Sequence, residues 1–160
     1  MRSPLPRIGH ALTAGYGLDV DSMTRVWAGT ATLNARADLA DGRTMFIKAY
    51  TTGADRGYEQ KAIDTAVGCA AAGVPALTPL PDLDGRLLHH GRTATVSVWP
   101  WLDATPPTVL TPPRAQTIGR RLAAMHHALD ALNQQTLSNL NTAAPHRSRR
   151  SPPASNASPT

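Results

Sequence analysis

The stretch Asp41-Gly42-Arg43-Thr44-Met45-Phe46-Ile47-Lys48-Ala49-Tyr50 constrains the fold more than any other part of the 160 residues. Asp-Gly is a strong signal for a two-residue hairpin turn, because glycine takes positive φ without strain. The β-branched, aromatic and long apolar residues after it predict a strand with a lysine inside it. Alternation puts Thr44, Phe46, Lys48 and Tyr50 on one face, and Met45, Ile47 and Ala49 on the other. A buried, unpaired ammonium would be costly. Either Lys48 sits on a solvated face with its stem over apolar neighbours, or it has a partner.

The following segment offers one. A helix is predicted over residues 54–72, and within it lies Glu59, the sole glutamate of the chain. Ile63, Ala66, Val67 and Ala70 follow Glu59 at spacings that share one helical face. Glu59 therefore heads an apolar stripe that must face the sheet, while Lys61 points away. Lys48 and Glu59 are expected within salt-bridge distance, each removing the other's burial penalty. Such a pair would hold the ammonium ready for an anion such as phosphate. A purely structural ion pair has the same signature.

Taken in order, the chain predicts a short helix over residues 8–16 ended by glycine, then strands over 23–28, 33–39 and 44–50. After the Glu59 helix, strands are expected over 83–88 and 92–98, a Pro/Thr-rich connector over 103–113, and a second amphipathic helix from 114 to about 132. Hairpin connections and the absence of crossovers indicate an α+β domain with an antiparallel sheet. The small-residue turn Gly29-Thr30-Ala31-Thr32 could offer backbone N–H groups to phosphate oxygens, although no G-x-x-x-x-G-K-[ST] motif occurs and an ordinary hairpin turn reads the same way. His89 and His90 point to opposite strand faces, which argues against a shared metal. Pro100 is expected to interrupt ladder pairing. Cys69, the sole cysteine, sits among small apolar residues as a core position and allows no intrachain disulfide.

Charge bears on partners. The formal net charge is +5 and the pI about 10.1, with arginines at both ends and no acidic residue after Asp130. Residues 137–160 read as a disordered basic Pro/Ser-rich tail able to stick to polyanions without specificity. Aromatic residues make up only 4% and do not interleave with the basic ones, so no specific nucleic-acid surface is expected. No run is apolar enough to span a bilayer and the first residues lack a signal-peptide core, so no membrane association and a cytoplasmic location are expected.

The order of these pieces resembles the N-terminal lobe of the protein-kinase-like fold, and within it the aminoglycoside phosphotransferase family with its choline-kinase-like members. The resemblance is carried by Gly29-Thr30-Ala31-Thr32-Leu33-Asn34, Asp41-Gly42-Arg43, Phe46-Ile47-Lys48, Tyr58-Glu59, Gly73-Val74-Pro75, Val98-Trp99-Pro100-Trp101 and Ile118-Gly119-Arg120-Arg121-Leu122-Ala123-Ala124-Met125-His126. It implies a five-stranded antiparallel sheet with one packed helix, then a helix and a disordered tail. The divisions expected are an N-terminal segment 1–15, the lobe over 16–102, a linker and helix over 103–136 that begin a C-terminal lobe, and the tail.

The resemblance also implies roles. Lys48 would hold the α- and β-phosphates of ATP, with Glu59 as its partner. Gly29 and Thr30 would cover the phosphates, and Trp99 or Trp101 would wall the adenine. Ala28 replaces a frequent glycine, and Phe46 would line or crowd the pocket. No His-Gly-Asp stretch ending in Asn occurs, and no Ile-Asp-Phe-like stretch, so neither a catalytic residue nor a metal ligand is assigned. The expectation is a phosphotransferase lobe without its catalytic half, holding ATP weakly and using Mg²⁺ only if the other lobe were supplied. The alternative is a non-catalytic module that docks a protein on its exposed lobe face.

Overall fold

A computed structural model of the chain describes residues 4–27, 32–50, 55–105 and 108–143, with side chains as far as Gln135 in the last helix. The elements are α1 (Leu5–Tyr16), β1 (Val20–Val26), β2 (Thr32–Leu39), β3 (Thr44–Tyr50), α2 (Arg56–Ala71), β4 (His89–His90), β5 (Thr95–Pro100) and α3 (Pro112–Ala143). The five strands form one antiparallel sheet in the order β1-β2-β3-β5-β4. The lysine strand β3 lies in its centre.

The turn before β3 has three residues where two were expected. Leu39 and Arg43 close it, the Leu39 N–H donating to the Arg43 carbonyl at 2.9 Å, with Ala40, Asp41 and Gly42 between them. Gly42 takes φ +83°, and the Asp41 carboxylate accepts from the Arg43 N–H at 3.0 Å. That is a type I turn closed by a left-handed glycine, the usual three-residue solution.

The two faces of β3 separate as alternation requires. Met45, Ile47 and Ala49 are buried with Ala35, Ala37, Val96 and Val98 beneath Ile8, Ala11, Leu12 and Tyr16 of α1. The N-terminal helix thus adds a second packed helix to the expected one. It begins at Leu5, a turn earlier than its sequence pattern, and Gly17 caps it at φ +65°. On the other face Tyr50 packs with Ile63 of α2 and with Leu88. Asp55 caps α2, accepting from the Gly57 and Tyr58 N–H groups. Farther along, Gly68 lets Leu132 of α3 come close. Cys69 is buried and free, as a small core residue.

Residues 83–88 are a turn and not the strand expected there. The Asp82 carboxylate, 6% exposed, accepts from the Asp84 N–H at 3.0 Å and the Arg86 N–H at 2.8 Å. Gly85 adopts φ +81°. The segment closes on itself before it can pair; Leu80 makes a lone bridge to Val98, and a strand starts only at His89, where a turn was expected. Pro100 does not end the ladder: Met45 pairs with it in register, and the Trp101 N–H reaches the Thr44 carbonyl at 3.4 Å. A proline at a strand's last position forfeits no needed donor. Helix α3 continues to Ala143, so the irregular tail does not start at residue 137; residues 144–160 lie outside the described residues. Among the described residues no helix is long and apolar enough to cross a membrane.

Candidate functional site

Register assembles the site. Val26, Asn34, Lys48 and Ser97 are successive partners across four strands, so they form one row on the α2 face. The adjacent row sets Arg36, Phe46 and Trp99 side by side. Where β5 ends, Trp101 and Leu102 continue the wall, and Leu77 approaches from the segment after α2. Together Val26, Phe46, Lys48, Leu77, Trp99 and Trp101 line most of a cavity of about 470 Å³, with Lys48 its sole charged lining residue among those described. That volume lies in the range of small-molecule sites.

The walls are held by polar contacts. The Trp99 indole N–H donates to the Ser97 hydroxyl at 2.8 Å, and that hydroxyl is 3.1 Å from the Tyr50 hydroxyl. Trp101 leans on Phe46 with ring centroids 6.3 Å apart, and the Arg36 guanidinium lies 5.3 Å from its ring. Arg36 is itself held by Asp38 at 2.9 Å, and Thr44 and Ser22 donate to the same carboxylate. The Thr44 hydroxyl first, then Arg36, keeps the Asp38 carboxyl below its usual range.

No protein-family model matches the chain, and no curated protein sequence does. Solved structures do. Spectinomycin phosphotransferase APH(9)-Ia, crystallised with ADP and spectinomycin, is 18% identical with a TM-score of 0.65, covering 77% of this chain and 37% of its own. Its AMP-bound form aligns at 0.49 with 18% identity, over 62% and 29% of the two chains. A candidate fructosamine-3-kinase from Thermobifida fusca YX-ER1 aligns at 0.46 with 23% identity, over 74% and 38%. The first decides the architecture. This is the fold of a kinase-like N-terminal lobe. The chain spans a little over a third of the phosphotransferase it matches.

Within this lobe, Lys48, Trp99 and Trp101 come together around one cavity. Gly29 and Thr30 lie outside the described residues. The expected ion pair between Lys48 and Glu59 is not made. The four ion pairs among the described residues are Arg36–Asp38, Arg43–Asp41, Arg86–Asp84 and His89–Asp82. Glu59 does face the sheet, half-buried, but its charge acts on Tyr50. Helix α2 docks over the Tyr50 end of β3 through Ile63. Lys48 stands two residues back on the same face, about 7 Å along the strand, its Nζ 5.9 Å from the Tyr50 ring centroid. The helix face was read correctly; its position along the strand was not.

Tyr50 is pushed above its ordinary pKa by burial first, opposed by the Ser97 hydrogen bond and reinforced by Glu59. Glu59→Gln should therefore move the Tyr50 titration down towards pH 10, read as tyrosinate absorbance against a Tyr50→Phe reference. An unmoved titration would show that Glu59 does not reach that hydroxyl. Two lining residues were missed by the sequence reading. Val26 becomes legible once the β1–β2 register is known, whereas nothing local marks Leu77.

Proposed function

We propose that the lobe binds a nucleotide, as part of a small-molecule phosphotransferase. The supporting observation is Lys48, the one cation among the described lining residues of an apolar slot walled by Trp99 and Trp101. An adenine needs aromatic or apolar walls, and its phosphates need a cation at one end. In this reading Lys48 holds the phosphates, the segment from Trp99 to Leu102 walls the base, and Gly29 and Thr30 cover the phosphates. Glu59 acts through Tyr50 and Ser97, steadying Trp99. The solved phosphotransferase carries ADP, which supports the same ligand class here. A cytoplasmic setting suits an ATP-binding protein with one unpaired cysteine.

Mg²⁺ is a different matter. Among the described residues no cluster of three or more His, Cys, Asp or Glu side chains could hold a metal. The described residues do not fit that ion. The groups that would transfer a phosphoryl group are assigned to a second lobe, which would cover Ile118 and Leu122 of α3, each 47% exposed. The same apolar pair would serve a docking module, but a lysine lining an aromatic-walled slot has no use in that role.

The test is titration with ATP or ADP, followed by tryptophan fluorescence. Two of the three tryptophans line the cavity, while Trp27 is 82% exposed. Saturable quenching is expected, weakened at least about tenfold in Lys48→Met, since one charge-assisted contact accounts for that much. Absence of saturable quenching in the parent chain would remove the nucleotide reading.

A further inference from the structure

A second cavity, of about 350 Å³, lies at the far end of β3 and shares no residue with the first. Its floor includes Ile8, Leu33 and Ala49, on the α1 side of the sheet, and its rim holds Arg7, Arg56 and Arg92. No carboxylate is among its described lining residues. Arg7 stands in the first turn of α1, whose N-terminus adds its positive end, and Arg56 opens α2. Helix α1 has no acidic residue in its first turn and no side-chain cap.

The chain neutralises other arginines locally. Arg36, Arg43 and Arg86 are each bound to an aspartate two residues away. The guanidiniums at the rim enter none of the ion pairs among the described residues. Asp55, next to Arg56 in sequence, is committed to capping α2. The positive field reaches His90, which is held below its ordinary pKa by burial first and then by the charge of Arg56. Three exposed guanidiniums on the rim of one cavity, none of them in an ion pair, can offer an anion charge and forked N–H donors together.

We propose that this cavity is a binding site for a small, multiply charged anion with an apolar body, a phosphorylated or polycarboxylate metabolite, gripped by Arg7, Arg56 and Arg92. The site is independent of the nucleotide reading. A floor built from Ile8, Leu33 and Ala49 in a cavity of this size suits a compact molecule better than a polymer backbone, which would need only the rim.

Calorimetry with pyrophosphate and, separately, citrate at low salt tests it on the full chain. One saturable site is expected, weakened about tenfold or more for each arginine in the series Arg7→Ala, then Arg7→Ala/Arg92→Ala. Arg7→Lys/Arg92→Lys should recover part of the binding, because the charge remains while the guanidinium fork is lost. Arg43→Ala, which removes a guanidinium that lines neither cavity, should leave the pyrophosphate isotherm unchanged. Amide spectra of the unmutated chain give a readout that does not depend on variants folding: Arg92, Thr93 and Ala94 should shift on titration. No saturable heat at millimolar anion would overturn the proposal. So would loss of binding in Lys48→Met with shifts at Trp99 and Trp101, which would place the anion in the other cavity. Tighter binding of a short oligonucleotide, lost with the same arginines, would replace the small-molecule assignment with a polyanion surface.

Discussion

Replacing Asp82 by alanine should destabilise the fold by about 3 kcal/mol or more, because three polar groups lose one buried acceptor together. A loss of that size lowers the Tm by roughly 10 °C in a domain this long. Two of the donors are the Asp84 and Arg86 N–H groups. The third partner is His89, whose Nδ1 lies 3.0 Å from the carboxylate. His89 is wedged in place: a Cβ on Gly15 would come within 2.5 Å of its ring, and one on Gly91 within 2.8 Å. It meets Tyr16 edge-on at 5.6 Å, and the Tyr16 hydroxyl donates to the Val96 carbonyl. One carboxylate thus ties the turn at 83–88 to the end of α1 and to β5. Asp82→Asn keeps the shape and loses the charge, and should cost less.

The pH dependence has a definite sign. Burial acts to raise the Asp82 pKa, but the hydrogen bonds from His89 and from the Arg86 and Asp84 N–H groups outweigh it and hold the carboxyl below 3.8. A folded-state value below the unfolded one gives stability that is full above about pH 4 and lost as pH falls through the folded value. Thermal melts between pH 2 and 7 should show a steeper acid decline in the parent chain than in Asp82→Asn. Parallel declines would mean that other carboxylates carry the acid limb.

How far the sequence could be read follows from which forces are local. Alternation in β3 separated Ile47, fully buried, from Lys48, because side-chain period depends only on the strand itself. The face of α2 was legible for the same reason: Glu59, Ile63 and Cys69 turn towards the protein. Where α2 would dock along β3 was not legible, since tertiary packing of Ile63 against Tyr50 and Leu88 decides it. That one displacement separates an expected Lys48–Glu59 pair from the Tyr50–Ser97 arrangement found. Asp82 passed unnoticed because an acid in a polar stretch looks solvated until the turn around it exists. The early helix α1 was visible as a helix, but nothing in its pattern said that Ile8 and Leu12 would pack on the back of the sheet. The basic cavity draws on three separate elements and has no motif.

Transfer of the ATP γ-phosphate by these 160 residues alone should be undetectable. A kinase lowers its barrier by positioning the acceptor and by stabilising charge on the group in flight. The proposed role of Lys48 concerns phosphates that stay with the nucleotide. The sequence has neither the His-Gly-Asp stretch nor the following Asp-bearing strand that would supply base and metal ligands in the family it resembles. His127-Ala128-Leu129-Asp130-Ala131-Leu132-Asn133 has the His, Asp and Asn of that pattern, but it lies inside α3 with the wrong spacing. Ala128 is the buried residue in that stretch, so helical geometry turns its histidine and aspartate towards other directions. Loss of a single catalytic element commonly costs orders of magnitude in rate, and the losses need not add. The decisive assay combines the purified chain with ATP, Mg²⁺ and a panel of aminoglycosides, choline and homoserine, following radiolabelled γ-phosphate. Turnover above that of Lys48→Met would show that this lobe supplies transfer chemistry from residues outside the family pattern. Background counts alongside saturable tryptophan quenching would leave this lobe a nucleotide binder that performs no phosphoryl transfer unaided.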